Sequence, residues 1–260
     1  WLQDFWHKGD EKNGLQPRYF TFPDNKNISQ FEACLSTFFL VYSNRIHPAA
    51  PQLDNFYGKQ EESGAIRAEY READGHAIKS KKNPKGVHPP LFSWAEFNLY
   101  HKIGNKKRLR DIIPVLEKYF TWLETTFKDD SGLYHVPLHA TKMENAPREG
   151  AYYPVDFNAQ QAINALYMSA IGDVLNDKAL SFRSKRQYFS LKTRINSQMW
   201  DNEKGIYCDL DSDRNRLSVK TIAAFWTLLG EIPNEDKANR LIDHLKNPKT
   251  FGTENPFPTL

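Results

Sequence analysis

The residue of this chain best placed to do chemistry is a carboxylic acid in a long polar loop. The segment Gly132-Leu-Tyr-His-Val-Pro-Leu-His-Ala-Thr-Lys-Met-Glu-Asn-Ala-Pro-Arg148 lies between two strongly helical stretches and sets Glu144 beside Asn145 and Arg148. Catalytic groups concentrate on loops carried by a rigid scaffold, and an acid flanked by an amide and a guanidinium is a candidate general acid. The plain alternative is a solvated loop glutamate. His135 and His139 have the spacing of ligands on one helical turn, but Pro137 between them argues against that helix, so no metal site is expected. Gly-rich phosphate loops, a Gly-x-Ser-x-Gly elbow and Cys–His pairs do not stand out, which sets nucleotide and acyl-transfer chemistry aside.

The elements that must position this loop are helices. Ser29 precedes an apolar run through Phe31, Leu35, Phe38, Phe39 and Tyr42, which predicts a buried helix ending near Pro48. Pro89-Pro90 opens a second through Trp94, Phe97 and Tyr100 that stops at Gly104. Leu109, Ile112, Ile113, Leu116, Tyr119, Phe120 and Leu123 hold one face over several turns, with Pro114 expected to kink or divide that helix. The pattern resumes at Asp156, runs through Ile163, Leu166, Tyr167, Ala170, Ile171 and Val174, and returns over 180–200, 219–229 and 238–245. Two strand-like stretches, 65–70 with the Asp74-Gly75 turn and 205–210, are candidate hairpins. Short connections alternate with long ones, which predicts a mainly α protein of paired antiparallel helices whose long loops gather on one face, in a solenoid or a closed α/α toroid.

Composition fits an ordinary folded chain with one sizeable core: 260 residues, formal net charge +3, 40% hydrophobic and 26% charged. The aromatic share of 13% is high for a helical protein, and aromatic rings pack cores but also stack on sugars. The basic residues are dispersed, with 79–85 the nearest to a patch, so a nucleic-acid partner is not expected. No run reaches the roughly 18 apolar residues of a membrane span, and no membrane partner is expected. Cys34 and Cys208 have no metal or redox spacing; they could be buried thiols or one bridge. The residues from Trp1 onward show no signal-peptide pattern. The abrupt start and the end at Leu260 read as a processed or truncated piece, and a periplasmic or secreted location is slightly favoured over a cytoplasmic one. Nothing sets the oligomeric state.

Several blocks carry a resemblance that periodicity does not supply. Leu53-Asp-Asn-Phe-Tyr57, Lys59-Gln60, Ser63-Gly-Ala-Ile-Arg-Ala-Glu-Tyr70 and Pro89-Pro-Leu-Phe-Ser-Trp-Ala-Glu96 resemble successive blocks of trehalase-like and family 63-like glycoside hydrolases. Gly132-Leu-Tyr134 with Met143-Glu-Asn-Ala-Pro-Arg148 is similar to that family's Gly-Leu-Tyr-Trp and Met-Asp-Asn-Ser-Pro-Arg loop. Val155-Asp156, Ala159-Gln160, Met199-Trp-Asp201, Gly205-Ile-Tyr-Cys-Asp209, Lys220-Thr-Ile-Ala-Ala-Phe-Trp226 and Asn247-Pro-Lys-Thr-Phe-Gly252 continue it in order. Ordered blocks over residues 28–260 are more specific than any one motif.

The resemblance implies a single (α/α)6-barrel catalytic domain over 1–260, with closing helices expected beyond Leu260. It implies hydrolysis of an α-linked glucoside or mannoside with inversion, a small saccharide as partner and no cofactor. Inversion needs one carboxyl group to protonate the leaving oxygen and a second to activate water, roughly 6.5–9.5 Å away. Glu144 stands where the family has its general-acid aspartate. The base is expected beyond the Phe251-Gly252 block, past Leu260. Where relatives carry Trp-Asp at the start of the first helix, this chain has Phe31-Glu32, so Glu32 is either a sugar contact or a helix-start acid favoured by the macrodipole.

Other positions divide in the same way. Arg67 and Glu69 would share one strand face, as sugar contacts or as a surface salt bridge. Trp94, with Glu96 close by, is a sugar platform or core. Asp156 is an N-cap or a sugar contact. Tyr152, Gln160 and Trp226, like Asn145 and Arg148, are candidates for the pocket wall. The departures at Glu144 and Glu32 keep a second class open, a catalytically silent carbohydrate-binding barrel. A third class is a helical scaffold for protein partners.

Overall fold

The computed structural model describes residues 2–21, 26–143, 145–255 and 257–258, Leu2 by its backbone alone. Its contacts divide the chain into two compact units, Trp1–Thr126 with Tyr167–Ser181 and Phe127–Leu166 with Phe182–Leu260.

The first unit opens with two short antiparallel strands, β1 (Trp6–His7) and β2 (Tyr19–Phe20). Strand β3 (Asn27–Ser29) follows and leads into helix α1 (Gln30–Leu40). Then come α2 (Ala50–Tyr57), β4 (Glu69–Arg71), α3 (Phe92–Ile103) and α4 (Lys106–Phe127). Phe20, Leu40, Val41, Ala49 and Leu99 form one apolar cluster, against which Phe5 and Trp6 pack. A second cluster joins Phe56 and Tyr57 of α2 to Phe92 of α3, whose ring meets Tyr119 of α4 edge-on at 5.6 Å. Glycine ends α3 as expected: Gly104 adopts φ +76°, and its N–H donates to the Tyr100 carbonyl at 2.7 Å.

Two expectations change here. Helix α1 exists, but its apolar row is not the buried face: Leu35 is 37%, Phe39 49% and Tyr42 74% exposed. Gln30, Ala33, Cys34 and Thr37 are buried instead. Their polar groups are satisfied locally, Thr37 Oγ1 donating to the Cys34 carbonyl at 2.7 Å and Gln30 Nε2 to the Tyr119 hydroxyl at 3.0 Å. Helix α4 runs unbroken through Pro114. Proline in a helix interior costs about 3 kcal/mol, and burying Leu109, Leu116, Tyr119 and Leu123 offsets it at about 1.5–3 kcal/mol per large apolar side chain. Only the end of the 65–70 stretch is extended, as β4; it forms the expected hairpin arm, Tyr70 facing Ala77 and the Arg71 N–H donating to the His76 carbonyl at 2.9 Å, and on its other edge it pairs antiparallel with β3, Ser29 opposite Glu69 and Asn27 opposite Arg71. The Asp74-Gly75 turn does follow, with Gly75 at φ +67°.

The second unit holds the first turns of α5 (Val155–Leu175) and most of α6 (Lys178–Arg194), which passes into a wider π-type turn over Ile195–Met199. Strands β5 (Trp200–Asp201) and β6 (Ile206–Tyr207) form the expected 205–210 hairpin, turning at Gly205. The 219–229 segment is shorter than its pattern implies: a 3-10 turn at Ile222–Phe225 and one helical turn, α7 (Trp226–Leu229). Helix α8 (Glu235–Lys246) is the last described helix, its start capped by Asn234, whose Oδ1 accepts from the Lys237 N–H at 3.0 Å. Both cysteines are free and buried. None of the described helices is long and apolar enough to cross a membrane.

Candidate active site

Glu144, the expected general acid, lies outside the described residues. The loop that carries it is anchored four residues later. Arg148 is fully enclosed and holds two carboxylates at once, with Nη1 and Nη2 donating to Asp156 at 2.8 Å each and Nε and Nη2 donating to Asp209 at 2.7 Å. Burial disfavours the guanidinium charge, but the Asp156 and Asp209 carboxylates outweigh it, and Arg148 is held firmly cationic. The carboxylates are committed further: Asp209 accepts the Val155 N–H at 2.8 Å and Asp156 the Phe157 N–H at 2.9 Å. One guanidinium thus ties the 144–151 loop, the first turn of α5 and the segment after β6.

This corrects two expectations. Asp156 is no N-cap, because α5 begins before it at Val155. Arg148 and Asp156 turn their polar atoms on each other and on Asp209, so their geometry is that of a brace under the loop and not of groups offered to a sugar. Asp209 was quoted only within a resemblance block; a carboxylate closing a buried strand was the signal that it must have a partner.

Around the brace, the loop base is pinned. Asp129 accepts the Ser131 N–H at 2.9 Å and the Tyr153 hydroxyl at 2.6 Å. Burial alone would raise its carboxyl, yet the bonds from Ser131 and Tyr153 hold it below the ordinary range. Asn158 of α5 receives the Tyr134 N–H at 2.8 Å and donates back to the Tyr134 carbonyl at 2.9 Å. His135 stacks on Tyr152 at 5.0 Å, while His139 sits in a 3-10 turn, Leu138–Ala140, so no helix aligns the two. Asn145 is exposed, as is Tyr152, and Trp226 is half-buried at the start of α7. Gln160 is completely buried, and among the described residues neither of its side-chain amide atoms has a hydrogen-bond partner.

The remaining candidates belong to the first unit. Arg67 precedes β4 and does not share a strand face with Glu69. It forks onto Glu61, donates Nη1 to the Lys85 carbonyl at 2.7 Å and lies 5.5 Å over the Trp122 ring. The Arg67 hydrogen bonds to Glu61, together with its positive charge, keep Glu61 below the usual carboxylate range. Glu69 pairs with His88 at 3.8 Å. Glu32 is half-buried in the first turn of α1, beside Ser29, Gln52 and Asn55. Trp94 packs between Phe38, with ring centroids 4.6 Å apart, and Tyr167 at 6.1 Å, as a core residue does. Glu96 is buried, receives Arg108 through Nε at 2.8 Å and Nη2 at 2.7 Å, and is bonded by the Tyr57 hydroxyl at 3.0 Å.

Helices joined by long loops, one of them held by the buried Arg148, make a mainly α architecture, and comparison with known proteins supplies its class. Over residues 5–260 the chain belongs to the mannosylglycerate hydrolase MGH1-like glycoside hydrolase domain family. It is 45% identical over 262 residues to an uncharacterized protein of Borreliella burgdorferi, covering 100% of this chain and 55% of that protein, so the chain spans about half the length of this relative. Among solved structures, an uncharacterized conserved protein from Thermus thermophilus superposes with a TM-score of 0.76 at 17% identity, over 100% of this chain and 76% of that one. The family 63 mannosylglycerate hydrolase from Thermus thermophilus, in complex with glucose, gives 0.73 at 17% identity, over 94% of this chain and 73% of that one. The neutral trehalase of Saccharomyces cerevisiae gives 0.68 at 13% identity, over 93% and 58%. These likenesses establish the (α/α)6 glycosidase fold.

Proposed function

We propose that this chain forms the catalytic domain of an inverting glycoside hydrolase acting on an α-linked glucoside or mannoside. The family match over residues 5–260 carries the reading, and the buried Arg148 brace supports it. In this reading Glu144 protonates the leaving oxygen, and a second carboxylate, not among the candidates named here, activates water on the opposite face. Glutamate in place of the family's aspartate extends the acid by one methylene, so the braced loop has to seat it further back. Asn145, Gln160 and Trp226, all of the second unit, are proposed sugar contacts. Gln160 has the strongest physical warrant, since a buried amide without partners costs about 1–3 kcal/mol unless a ligand or water satisfies it. Because one of the solved structures that share the fold is a mannosylglycerate hydrolase, α-mannosylglycerate belongs in the substrate panel beside trehalose and aryl α-glucosides.

The test is hydrolysis of that panel by the full protein, with Glu144→Gln alongside. Loss of about 100-fold or more in kcat is expected for the amide, which keeps the shape but cannot donate the proton. The substitutions at Glu144 and Glu32 favour one rival, a silent carbohydrate-binding barrel. Saccharide binding without turnover in the wild type would select it.

A further inference from the structure

The first unit contains a cavity of about 560 Å³, within the size range of small-molecule sites, that the proposed hydrolysis does not use. It opens among α2, the C-terminal part of α3 and the N-terminal half of α4, with Asn44 and Pro48 from the α1–α2 connection at its edge. Glu69 lies at the other end of α1, opposite Ser29. The helix between them is 11 residues, about 16 Å.

On the wall of this cavity Arg108 bonds Glu96 through Nε and Nη2 and reaches Asp54 Oδ1 at 2.9 Å. Burial pushes the Glu96 carboxyl up against the pull of Arg108. Among the described residues this leaves Arg108 Nη1 as a donor and Asp54 Oδ2 as an acceptor, both uncommitted to other protein groups. The side-chain amides of Asn44 and Asn105 use only their oxygens, on the Ala49 and Arg108 N–H groups, and keep Nδ2 as a further donor. Leu99, Ile103 and Ile112 supply apolar surface between these polar groups.

The charges select the ligand. Lys107 is paired with Asp111 at 2.6 Å, and Arg108 with Glu96 and Asp54. An anion would meet three carboxylates against two cations. A metal ion would have to take carboxylates already held by Arg108 or Lys107. What remains is a neutral molecule with hydroxyls to give and accept and an apolar face for the aliphatic wall.

We propose that this cavity is a second saccharide site, taking a neutral pyranose or small polyol through Arg108, Asp54 and the two asparagines. It is independent of hydrolysis. Calorimetric titration of the full protein carrying Glu144→Gln with methyl α-mannoside, methyl α-glucoside and glycerol tests it. The expected result is two equivalents of one of these probes per chain. Ile103→Trp, at the half-exposed rim, should remove one equivalent while leaving hydrolysis by the otherwise wild-type protein within about twofold. Asp54→Asn, nearly isosteric, should weaken the same site about tenfold or more, and it answers the question if tryptophan disturbs the fold. A single equivalent in all, or two that survive both substitutions, overturns the proposal. Two equivalents without any turnover would remove the glycosidase reading and leave this one standing; turnover with one equivalent would do the reverse.

Discussion

At the scale of single residues, the Arg148 brace dominates. Replacing Arg148 by alanine leaves Asp156 and Asp209 buried without their cation, and breaking such a group from one side costs about 3–5 kcal/mol. Urea unfolding of Arg148→Ala should show a loss of that size, and a loss below about 1 kcal/mol would mean the brace is not as dry as its burial implies. Asp129 makes a pH prediction. Its folded carboxyl is held below the unfolded value of about 3.9, so its contribution is present above that pH and disappears as pH falls through the lower folded value. Asp129→Asn should therefore flatten the acid limb of stability below about pH 4, followed by circular dichroism. Burial drives the Cys34 thiol upward and the Cys208 thiol to about 11. Neither should react with a thiol reagent at pH 8 until denaturant is added. The sequence showed which residue types could act, but it could not show that Arg148 faces Asp209, 61 positions away, in preference to a sugar. Pair partners across such distances are set by packing, which spacing does not encode.

Elements were easier to read at their ends than along their faces. Gly104 marks a helix end through local backbone chemistry and was legible; Asn234, a favoured cap type, starts α8 three residues before the apolar pattern that placed it at 238–245. Which side of α1 turns inward depends on its neighbours, and there the apolar pattern misled. Likewise β4 folds back across its Asp74-Gly75 turn as the local pattern implied, but its second partner, β3, lies about 40 positions earlier and was not legible. Pro114 tests how α4 balances its terms. It is exposed and sits in helical backbone, so Pro114→Ala restores an intrahelical N–H bond without disturbing the core. Stability should rise by about 1–3 kcal/mol in urea titrations. No gain would show that the helix bends at that point and that the core is fitted to the bend.

For the molecule as a whole, the order of sequence blocks carried more than any periodicity. Helical spacing left a solenoid and a toroid open; the blocks around Asp54, Arg67, Trp94 and Arg148, taken in sequence, pointed to the glycosidase fold that the comparisons establish. The same blocks could not say which acids converge, because a catalytic pair is a distance and a sequence supplies only an order. Saccharide binding can be tested without turnover. A sugar that binds only the folded protein at about 100 times its Kd adds about 2.7 kcal/mol, so Glu144→Gln should melt higher in saturating substrate. An unchanged melting temperature across the panel would remove the carbohydrate reading in both its active and silent forms.

The reversed faces of α1 also bear on how this protein tolerates change. A saturation survey of the helix would invert the usual expectation: Leu35 and Phe39, and Tyr42 in the turn just after it, should accept lysine or glutamate with little loss of soluble yield, while the modest replacements Thr37→Val and Gln30→Leu should be rejected. Substitution tables that rank aliphatic positions as the protected ones would steer an engineer to the wrong side of this helix.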